Sequence, residues 1–526
     1  MKGEIFYYPS NSQIEVVAVR LFTTVAGLRS HLKHQRQNKT IGLVPTMGAL
    51  HIGHQSLIKS AKTETDLVVV SIFVNPIQFT PTEDLQKYPR HLAQDRQLCE
   101  NLGVDVIFAP SPEIMGMAED SNTSSSEDMT RVIPPATMTS HLCGQFRPGH
   151  FTGVATIVTK LFNIINPDIA YFGEKDAQQL AIIRRIVEDL NIPVEIRGCP
   201  TIREPSGLAY SSRNQYLTPQ QQEQASILYQ SLQRAKQAFL GGERETASLI
   251  KIVEQELSSS DPINIQYVNL VDPKTLTPLT RVDHAGLLAI AAYLGSTRLI
   301  DNIILLNRKP IIAIDGPAGA GKSTVTRRVA QELGLMYLDT GAMYRAITWL
   351  VLNSNINLED EAAIAELVSQ VNLELTPKGI KINGEDVTEA IRTLQVTAHV
   401  SAISAMESVR QALVKQQQSY GQKGGIVAEG RDIGTHVFPN AELKIFLTAS
   451  VQERARRRLQ DLIESGQGDI TVNQLEQDIQ LRDYRDSHRK FAPLQKATDA
   501  IEIITDGLTI EDVTAKIITL YREVVK

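Results

Sequence analysis

The sequence predicts an α/β protein built from parallel sheets covered by helices, and three observations carry this prediction. Short apolar runs bounded by turn residues alternate with helix-like segments, which is the pattern of parallel sheets. Two stretches typical of phosphate binding, PTMGALHIGH at 45–54 and IIAIDGPAGAGKST at 311–324, lie far apart in the chain. The 526 residues also exceed what one core usually holds, so roughly two to four domains are expected.

The composition predicts a soluble, cytoplasmic protein. A formal net charge of −6 gives no general attraction to nucleic acid or to anionic membranes. Cys99, Cys143 and Cys199 are too widely spaced for a metal clip, and their odd number argues against a disulfide framework. The first residues lack the pattern of a secretory signal, and no run approaches the roughly 18 apolar residues of a membrane span. We therefore expect neither a nucleic-acid nor a membrane partner.

Four apolar runs predict strands of a first sheet: TIGLVPT, DLVVVSIFVN, VDVIFAP and DIAYFGE. Between them, the stretches QSLIKSAKTE and LQKYPRHLAQDRQLCENLG have the character of helices. Residues 40 to about 191 are therefore predicted to be doubly wound. The Ser-rich, acidic stretch 117–130 predicts an exposed loop, and a solvated loop is favoured there over a phosphorylation site.

The chain is predicted to divide into three domains. Residues 1–192 form the doubly wound domain, and residues 193–308, with a mixed helix and strand character, form a smaller α+β domain. A new strand starts at Ile311 after only NRKP, so residues 309–526 are expected to form the third domain with almost no linker before it.

The HIGH motif at 51–54 follows a predicted strand and a turn, and it leads into a helix. Its two imidazoles would lie on one side of the first helical turn, near free backbone N–H groups and the positive end of the helix dipole. This placement suits charge stabilisation on a polyphosphate. A chance match or part of a metal site is the alternative, although further zinc ligands at suitable spacing are missing.

The wider pattern resembles pantothenate synthetase, the pantoate–β-alanine ligase family. The motifs LVPTMGALHIGHQSLI, SIFVNPIQF, YPR, FRPGHFTGVATIV, YFGEKDAQQL and AYSSRNQYL occur in that family's order between about residues 21 and 307. The resemblance implies a nucleotidyltransferase-like (Rossmann-like) domain that adenylates pantoate with ATP and then transfers the pantoyl group to β-alanine. It also implies Mg²⁺ and a homodimer.

The same resemblance assigns residues of the first half. Those for ATP, which act by stabilising charge, are Met47, His51, Gly53, His54, Gly173, Lys175, Asp176, Ser211, Ser212 and Arg213, and those for pantoate are Asn75, Gln78 and Gln179. Catalytic roles fall to His54, Lys175, Ser211, Ser212 and Arg213.

Two features of the first half bear on this resemblance. Aminoacyl-tRNA synthetases also carry HIGH and form acyl adenylates, but the chain has SSRN where they have a Lys-Met-Ser-Lys-Ser loop. Ala177 stands where the family often has an aromatic residue, a change that loosens packing without removing a polar group.

The second stretch satisfies the P-loop pattern G-x-x-x-x-G-K-[ST] between a strand and an amphipathic helix. Backbone N–H groups of such a loop surround the β-phosphate, Lys322 reaches the β and γ oxygens, and the Ser323 hydroxyl binds Mg²⁺. Residues of this loop predicted to bind ATP are Gly316, Gly319, Gly321, Lys322, Ser323 and Thr324.

From about residue 311 to the C-terminus, the motifs LDTGAMYR, VRQAL, AEGRDIGTHVFP and LRDYRDSHRKFAPL resemble bacterial-type cytidylate kinase. This implies a P-loop nucleoside monophosphate kinase domain that phosphorylates CMP or dCMP. It further implies a nucleotide-binding insertion near 370–400 and a lid near 451–470. The lid would carry Arg454, Arg457 and Arg458, with Arg457 binding ATP, and a basic solvated helix is the alternative there. The implied CMP-binding residues are Asp339, Thr340, Gly341, Arg345, Arg410, Arg431, Asp432, Arg482 and Asp486, with Lys322, Arg482 and Arg489 catalytic.

Together the motifs predict a bifunctional enzyme with small-molecule substrates. The alternative hypothesis is that one half is catalytic and the other only binds nucleotide as a regulatory module.

Overall fold

The computed structural model describes residues 19–37, 39–80, 85–86, 88–117, 129–258, 263–376, 379–464, 470–489 and 492–525. Most of the Ser-rich stretch 117–130 lies outside the described residues. The chain separates into two units, Met1–Leu306 and Asn307–Lys526. No helix among the described residues is long and apolar enough to cross a membrane.

A six-stranded parallel sheet organises the first unit, with strand order β1-β4-β3-β2-β5-β6. This order confirms the predicted doubly wound fold. The strands are β1 (Arg20–Phe22), β2 (Ile41–Thr46), β3 (Leu67–Ile72), β4 (Val106–Phe108), β5 (Ile169–Gly173) and β6 (Glu195–Cys199). The helices are α1 (Val25–Gln35), α2 (Ile52–Glu64), α3 (Leu92–Asn101), α4 (Ala136–Thr139), α5 (Cys143–Phe146), α6 (His150–Ile165) and α7 (Ala177–Asp189).

Burial explains the unbroken apolar runs of the central strands. Strand β3 is covered on both faces, so Val68 and Val70 enter one core while Val69 enters the other. Helix α3 is shorter than the sequence predicted, since it begins only at Leu92. The cause lies in Pro89, because proline disfavours a helical residue before it and has no N–H to donate.

The rest of the first unit contains a three-stranded antiparallel sheet of order β7-β8-β9. Helices α9 and α10 cover one face of this sheet, and α6 and α7 pack against the other. Side chains from β7 and β9 therefore reach the region next to the large sheet. The elements are α8 (Pro219–Ala225), α9 (Ile227–Leu240), α10 (Thr246–Ser258), β7 (Ile263–Val271), β8 (Ala285–Leu294) and β9 (Thr297–Leu306).

The second unit contains a five-stranded parallel sheet of order β11-β15-β10-β16-β17. The central strand β10 carries the predicted IIAID run, whose side chains are buried. The strands are β10 (Lys309–Asp315), β11 (Met336–Asp339), β15 (Gly424–Gly430), β16 (Leu443–Thr448) and β17 (Ile501–Ile504).

A small antiparallel sheet, β12 (Leu373–Thr376), β13 (Gly379–Ile382) and β14 (Glu385–Asp386), lies in the predicted insertion. Its buried residues join the core formed by the helices around β15. The helices of the second unit are α11 (Lys322–Leu333), α12 (Thr340–Asn353), α13 (Glu361–Ser369), α14 (Leu394–Ile403), α15 (Glu407–Gly421), α16 (Val451–Glu464), α17 (Val472–Ser487) and α18 (Ile510–Val525).

Two glycines with positive φ provide a matched test of backbone packing in this unit. A Cβ on Gly424 (φ 60°) would lie 1.7 Å from the Lys309 carbonyl oxygen, whereas one on Gly384 (φ 87°) would meet nothing within 4 Å. We expect Gly384→Ala to cost about 1 kcal/mol of unfolding free energy, from backbone strain alone. Gly424→Ala should cost about 3 kcal/mol, because β15 must move away from β10.

Guanidinium unfolding followed by the fluorescence of Trp349 would measure both costs. Trp349 is the chain's one tryptophan, and it packs against the core of the second unit, so the signal reports on that unit. Equal destabilisation by the two substitutions would contradict the close contact at Gly424.

Candidate active sites

The first candidate site lies where strands β2 and β5 end side by side. Gly42 pairs in parallel with Ile169, so the carboxyl ends of both strands reach the same edge of the sheet. The HIGH motif follows β2 and opens α2, and the GEKD motif follows β5 just before α7. The strand order reverses between β2 and β5, which is where open α/β sheets bind their ligands.

The two histidines of HIGH are fixed by hydrogen bonds to the first turn of α2. The Gly53 N–H donates to His51 Nδ1 at 3.1 Å, and the His51 N–H donates to His54 Nδ1 at 3.3 Å. The ring centroids lie 4.1 Å apart. Because Nδ1 accepts in both rings, each neutral imidazole carries its proton on Nε2, where it is available for donation to a ligand.

Both imidazoles are neutral at physiological pH. Burial, together with the nearby Lys175, lowers the pKa of His51 to about 4. Burial, with His51 and Lys175 close by, lowers the pKa of His54 to about 3. Desolvation disfavours the charged form of a base, so both pKa values move down.

Lys175 stands in the 3-10 turn between β5 and α7, and burial lowers its pKa as well. The small sheet holds this turn, because Asn302 Nδ2 donates to the carbonyls of Glu174 and Lys175 at 3.0 and 2.8 Å. Opposite, Ser211 Oγ accepts from the Arg213 N–H at 3.3 Å and so caps the turn that begins at Ser212.

An amide pair forms another wall of the same site. Asn75 caps the 3-10 turn Pro76–Gln78, and its Nδ2 donates to Gln78 Oε1 at 3.0 Å and to the Gly153 carbonyl at 3.1 Å. Gln78 Nε2 in turn contacts Met47 Sδ at 2.6 Å. The two amides are thereby oriented by each other and by α6.

These residues line one cavity of about 250 Å³. Gly53 and Gly173 are absent from its lining: Gly53 lies in the first turn of α2, and Gly173 is the last residue of β5. The predicted residues that line the cavity are Met47, His51, His54, Asn75, Gln78, Lys175, Asp176, Gln179, Ser211, Ser212 and Arg213.

Several cavity residues were missed by sequence reasoning. Arg147 Nη1 donates to His150 Nε2 at 3.0 Å, and His150 Nδ1 then donates to the Gln78 carbonyl at 2.7 Å, so His150 is neutral. Both belong to the FRPGHF motif, which the resemblance used without assigning roles. Arg298 and Asn302 lie in the STRLIDN stretch at β9 and also line the cavity. No sequence motif marks them as site residues, because only the folded chain brings β9 to this cavity.

The second candidate site is the P-loop between β10 and α11. A Cβ on Gly316 would lie 1.9 Å from the Leu447 carbonyl oxygen, so only glycine fits there. Gly321 (φ 83°) precedes α11, and Gly319 (φ 80°) lies against Arg454. Lys322 is buried, and its Nζ donates to the Pro317 carbonyl at 2.7 Å. Burial, with Arg431 nearby, lowers the pKa of Lys322.

Glu429, at the end of β15, is a further residue that sequence reasoning missed. It is buried, and its Oε2 accepts from Ser323 Oγ at 2.9 Å while its Oε1 accepts from the Tyr337 hydroxyl. Burial raises the pKa of Glu429. Hydroxyl and carboxylate oxygens are hard donors that fit Mg²⁺. Among the described residues, no group of three or more His, Cys, Asp and Glu side chains could hold a metal ion.

Arginine and aspartate side chains form an ion-pair cluster beside the P-loop. Asp432 is buried, accepts from Arg410 Nη2, and lies 3.3 Å from Arg489 Nη2. Arg431 Nε pairs with Asp486 Oδ2 at 3.0 Å. Although burial raises it, Arg410 and Arg489 hold the pKa of Asp432 below its usual value.

The remaining predicted nucleotide-binding residues surround this cluster. Asp339 caps α12, because its side chain accepts a hydrogen bond from the Ala342 N–H at 2.9 Å. Gly341 lies in the first turn of that helix. Thr340 Oγ1 donates to the Glu429 carbonyl at 2.6 Å. Arg345 Nη1 donates to Thr397 Oγ1 at 3.3 Å. The buried Nε of Arg482 has no hydrogen-bond partner among the described residues.

Helix α16 carries the predicted lid arginines. Arg454 is buried and joins the P-loop to α17, because it donates to the Ala318 carbonyl at 3.2 Å and pairs with Asp483 at 2.6 Å. Arg457 donates to Thr505 Oγ1 and to its carbonyl, beside Gly321. Residues 465–469 of the predicted lid lie outside the described residues, and Thr324 is exposed on α11.

The fold and the two sites define a class of protein: an adenylate-forming ligase joined to a P-loop nucleotide kinase. Family models agree, since pantoate-beta-alanine ligase matches residues 20–304 and cytidylate kinase matches residues 312–523. The crystal structure of a pantothenate synthetase from Thermus thermophilus is 42% identical, with a TM-score of 0.50, and the match covers 54% of this chain and 99% of that one.

Two relatives match almost the whole chain. Bifunctional pantoate ligase/cytidylate kinases of Nostoc sp. and Synechocystis sp. are 57% and 59% identical over 531 and 514 residues, and each match covers 96% of this chain and 99% of the relative. The chain belongs to the bifunctional pantoate ligase/cytidylate kinase family. The prediction of two enzymatic halves is thereby confirmed, and the alternative of a single catalytic half gains no support.

The protonation state and tautomer of the His51 and His54 imidazoles can be tested by NMR. With ¹⁵N-histidine labelling, the ring nitrogens of His51 and His54 should keep the neutral pattern, protonated on Nε2, from pH 8 down to about pH 5. His51→Gln and His54→Gln variants would assign the signals. Midpoints near the ordinary histidine pKa would contradict the burial and the hydrogen bonds described above.

Proposed function

We propose that the first unit condenses pantoate with β-alanine through a pantoyl adenylate, and that the second phosphorylates CMP or dCMP. The observation that carries the first assignment is the convergence of imidazole, amine and hydroxyl groups on one cavity whose other polar wall consists of amides. The P-loop beside the arginine cluster supports the second assignment.

In the first half-reaction, the pantoate carboxylate attacks the ATP α-phosphate and pyrophosphate leaves. Neutral His51 and His54 donate Nε2–H groups to phosphate oxygens, and Lys175 donates to phosphate oxygens from the turn after β5. These groups stabilise charge and need no proton abstraction. Asp176 holds the ribose, and the other residues that we assign to ATP are Met47, Gly53, Gly173, Ser211, Ser212 and Arg213.

Pantoate is held by amides in this proposal. Gln78 and Gln179 bond its hydroxyls and carboxylate, with Asn75 beside them, because an amide offers donors and an acceptor without a competing charge. In the second half-reaction, the unprotonated β-alanine amine attacks the acyl carbon. The C–N bond forms as the acyl–phosphate C–O bond breaks, AMP leaves, and the amine loses a proton.

The kinase reaction depends on positioning and charge neutralisation. Lys322 follows the β and γ oxygens of ATP, with the loop glycines and Arg457 around the phosphates. Arg410 and Arg431 bind the CMP phosphate, and Arg482 and Arg489 contact the transferring group. The remaining CMP contacts that we assign are Asp339, Thr340, Gly341, Arg345, Asp432 and Asp486.

We propose that Ser323 and Glu429 hold Mg²⁺ together with ATP oxygens. Two hard protein oxygens side by side support this, since Mg²⁺ keeps several waters and shares few protein ligands. A Mg²⁺ ion held there would neutralise charge on the phosphate oxygens. The Ser323 hydroxyl and the Glu429 carboxylate orient each other for this task.

We propose the domain organisation of the chain from its family resemblance. Residues 1–192, 193–308 and 309–526 serve as domains, the segment near 370–400 binds the monophosphate nucleotide, and the segment near 451–470 closes as a lid. Family resemblance supports a homodimer formed through the first half, and the few, widely spaced cysteines support a reducing, cytoplasmic location.

Separate substitutions would test the two assignments. His54→Ala should abolish AMP formation from pantoate, β-alanine and ATP and leave CMP phosphorylation unchanged, because it removes a phosphate donor from the first cavity only. Lys322→Ala should do the converse. Chromatography of the nucleotides measures both reactions in one preparation.

Substitutions at exposed positions on α1 and α18, His34→Ala and Lys516→Ala, serve as matched controls and should alter neither activity. Loss of both reactions in either folded variant would refute two separate active sites.

Glu429→Gln should raise the Mg²⁺ concentration that half-saturates CMP phosphorylation by about tenfold. The amide keeps the size of the side chain but removes the charge that attracts the cation. The Mg²⁺ dependence of the ligase reaction in the same preparation is the internal control. An unchanged kinase dependence would remove Glu429 from the metal site.

A further inference from the structure

Arg298 occupies an unusual position in the ligase cavity. It lies near the start of β9 and lines the cavity, and it is only partly exposed. Its Nε donates to Gln266 Oε1 at 2.9 Å and its Nη2 donates to Cys143 Sγ at 3.3 Å. Within the described ranges, no carboxylate pairs with this guanidinium, although a guanidinium has five N–H donors.

Other arginines of the two units show how such a charge is normally held. Arg203 makes a bidentate pair with the buried Asp301, at 2.6 and 2.9 Å. Arg410 pairs with Asp432. A cation withdrawn from water without an anion is costly, so a partly buried arginine left without one in a cavity is suited to an anionic ligand. Its planar fork matches a carboxylate in particular.

The reaction brings three anions into this cavity: the triphosphate, the pantoate carboxylate and the β-alanine carboxylate. The groups assigned to the triphosphate include His51, His54 and Lys175, which lie close together, because Lys175 contributes to the lowered pKa of both histidines. The amides on the Gln78 wall are assigned to pantoate. The β-alanine carboxylate is the anion still without a partner.

The surroundings of Arg298 form a separate wall of the cavity. Cys143 opens α5 and lies 3.2 Å from the Tyr267 hydroxyl of β7, and the Tyr267 ring stacks on Phe146 with centroids 5.9 Å apart. This wall is mainly uncharged, which strengthens the attraction between the guanidinium and an incoming carboxylate. Gln266 and Cys143 hold the guanidinium from two sides, so its orientation is set before a ligand arrives.

We propose that Arg298 binds the carboxylate of the acceptor, β-alanine, and thereby selects an ω-amino acid over a simple amine. The inference rests on the proposed ligase function, because it assigns the second substrate of that same site. Arg298 acts in the second half-reaction, where it fixes the acceptor's distal end while the amine approaches the acyl carbon. Adenylation of pantoate needs no acceptor and therefore does not need Arg298.

The two half-reactions can be measured separately in Arg298→Gln and Arg298→Lys. Pantoate-dependent exchange of labelled pyrophosphate into ATP reports adenylation, and it should remain within about twofold of the unaltered protein in both variants. The kcat/KM for β-alanine should fall about 100-fold in Arg298→Gln and about 10-fold in Arg298→Lys, which keeps the charge but loses the fork. Most of the loss should appear as a higher KM.

Propylamine, which has a methyl group where β-alanine has its carboxylate, is the probe of mechanism. It should react slowly with the adenylate in the unaltered protein and at the same slow rate in Arg298→Gln. The preference for β-alanine over propylamine should therefore be largely lost in Arg298→Gln. Arg234→Gln, at an exposed arginine on α9, is the matched control and should change none of these rates.

Two results would overturn the inference. Equal losses with β-alanine and with propylamine would assign Arg298 a structural role, and a parallel loss of pyrophosphate exchange would assign it to ATP or pantoate. Failure of the proposed function itself is distinguishable, because the unaltered protein would then show no pantoate-dependent exchange at all.

Discussion

The sites that we propose in both units depend on one arrangement, a parallel strand that ends where a helix begins. At such a junction the strand cannot supply partners to the first N–H groups of the helix, and those groups attract an anion. In the first unit β2 leads through a turn into α2, and in the second β10 leads through the P-loop into α11. The central position of β2 and β10 in their sheets brings residues from neighbouring strands to the same edge.

The units differ in how they balance charge at that edge. In the first unit, burial keeps two imidazoles neutral and lowers the pKa of Lys175. In the second, the positive charges of Arg410 and Arg431 are balanced by Asp432 and Asp486, which pair with them. A phosphate entering the kinase site must compete with those carboxylates, whereas one entering the ligase cavity meets donors whose local hydrogen bonds leave Nε2–H free. The first arrangement suits charge that develops during attack, and the second suits a substrate that arrives as a dianion.

Sequence reasoning predicted those parts of the sites that are contiguous in the chain. The HIGH and P-loop motifs each combine a strand end, a turn and a helix start within about a dozen residues, so local spacing and glycine content suffice to recognise them. The two parallel sheets were predictable because apolar runs such as LVVVSI must be buried on both faces. The start of α3 was misjudged because the effect of Pro89 outweighed a helix-like composition. Residues that reach a site from a distant element gave no comparable signal.

Glu429, Asn302 and Arg298 illustrate why that signal is missing. Glu429 reaches Ser323 from 106 residues away, and Asn302 supports the Lys175 turn from 127 residues away. Each looks ordinary in its own strand, since an acid at the end of β15 or an amide in β9 has many possible roles. The role of each residue depends on which strands lie side by side in the sheet. The spacing of residues in the sequence does not encode that topology. For Arg298 the decisive observation is that no carboxylate in the described part of the chain pairs with it, which can be recognised only once the neighbours of the guanidinium have been placed.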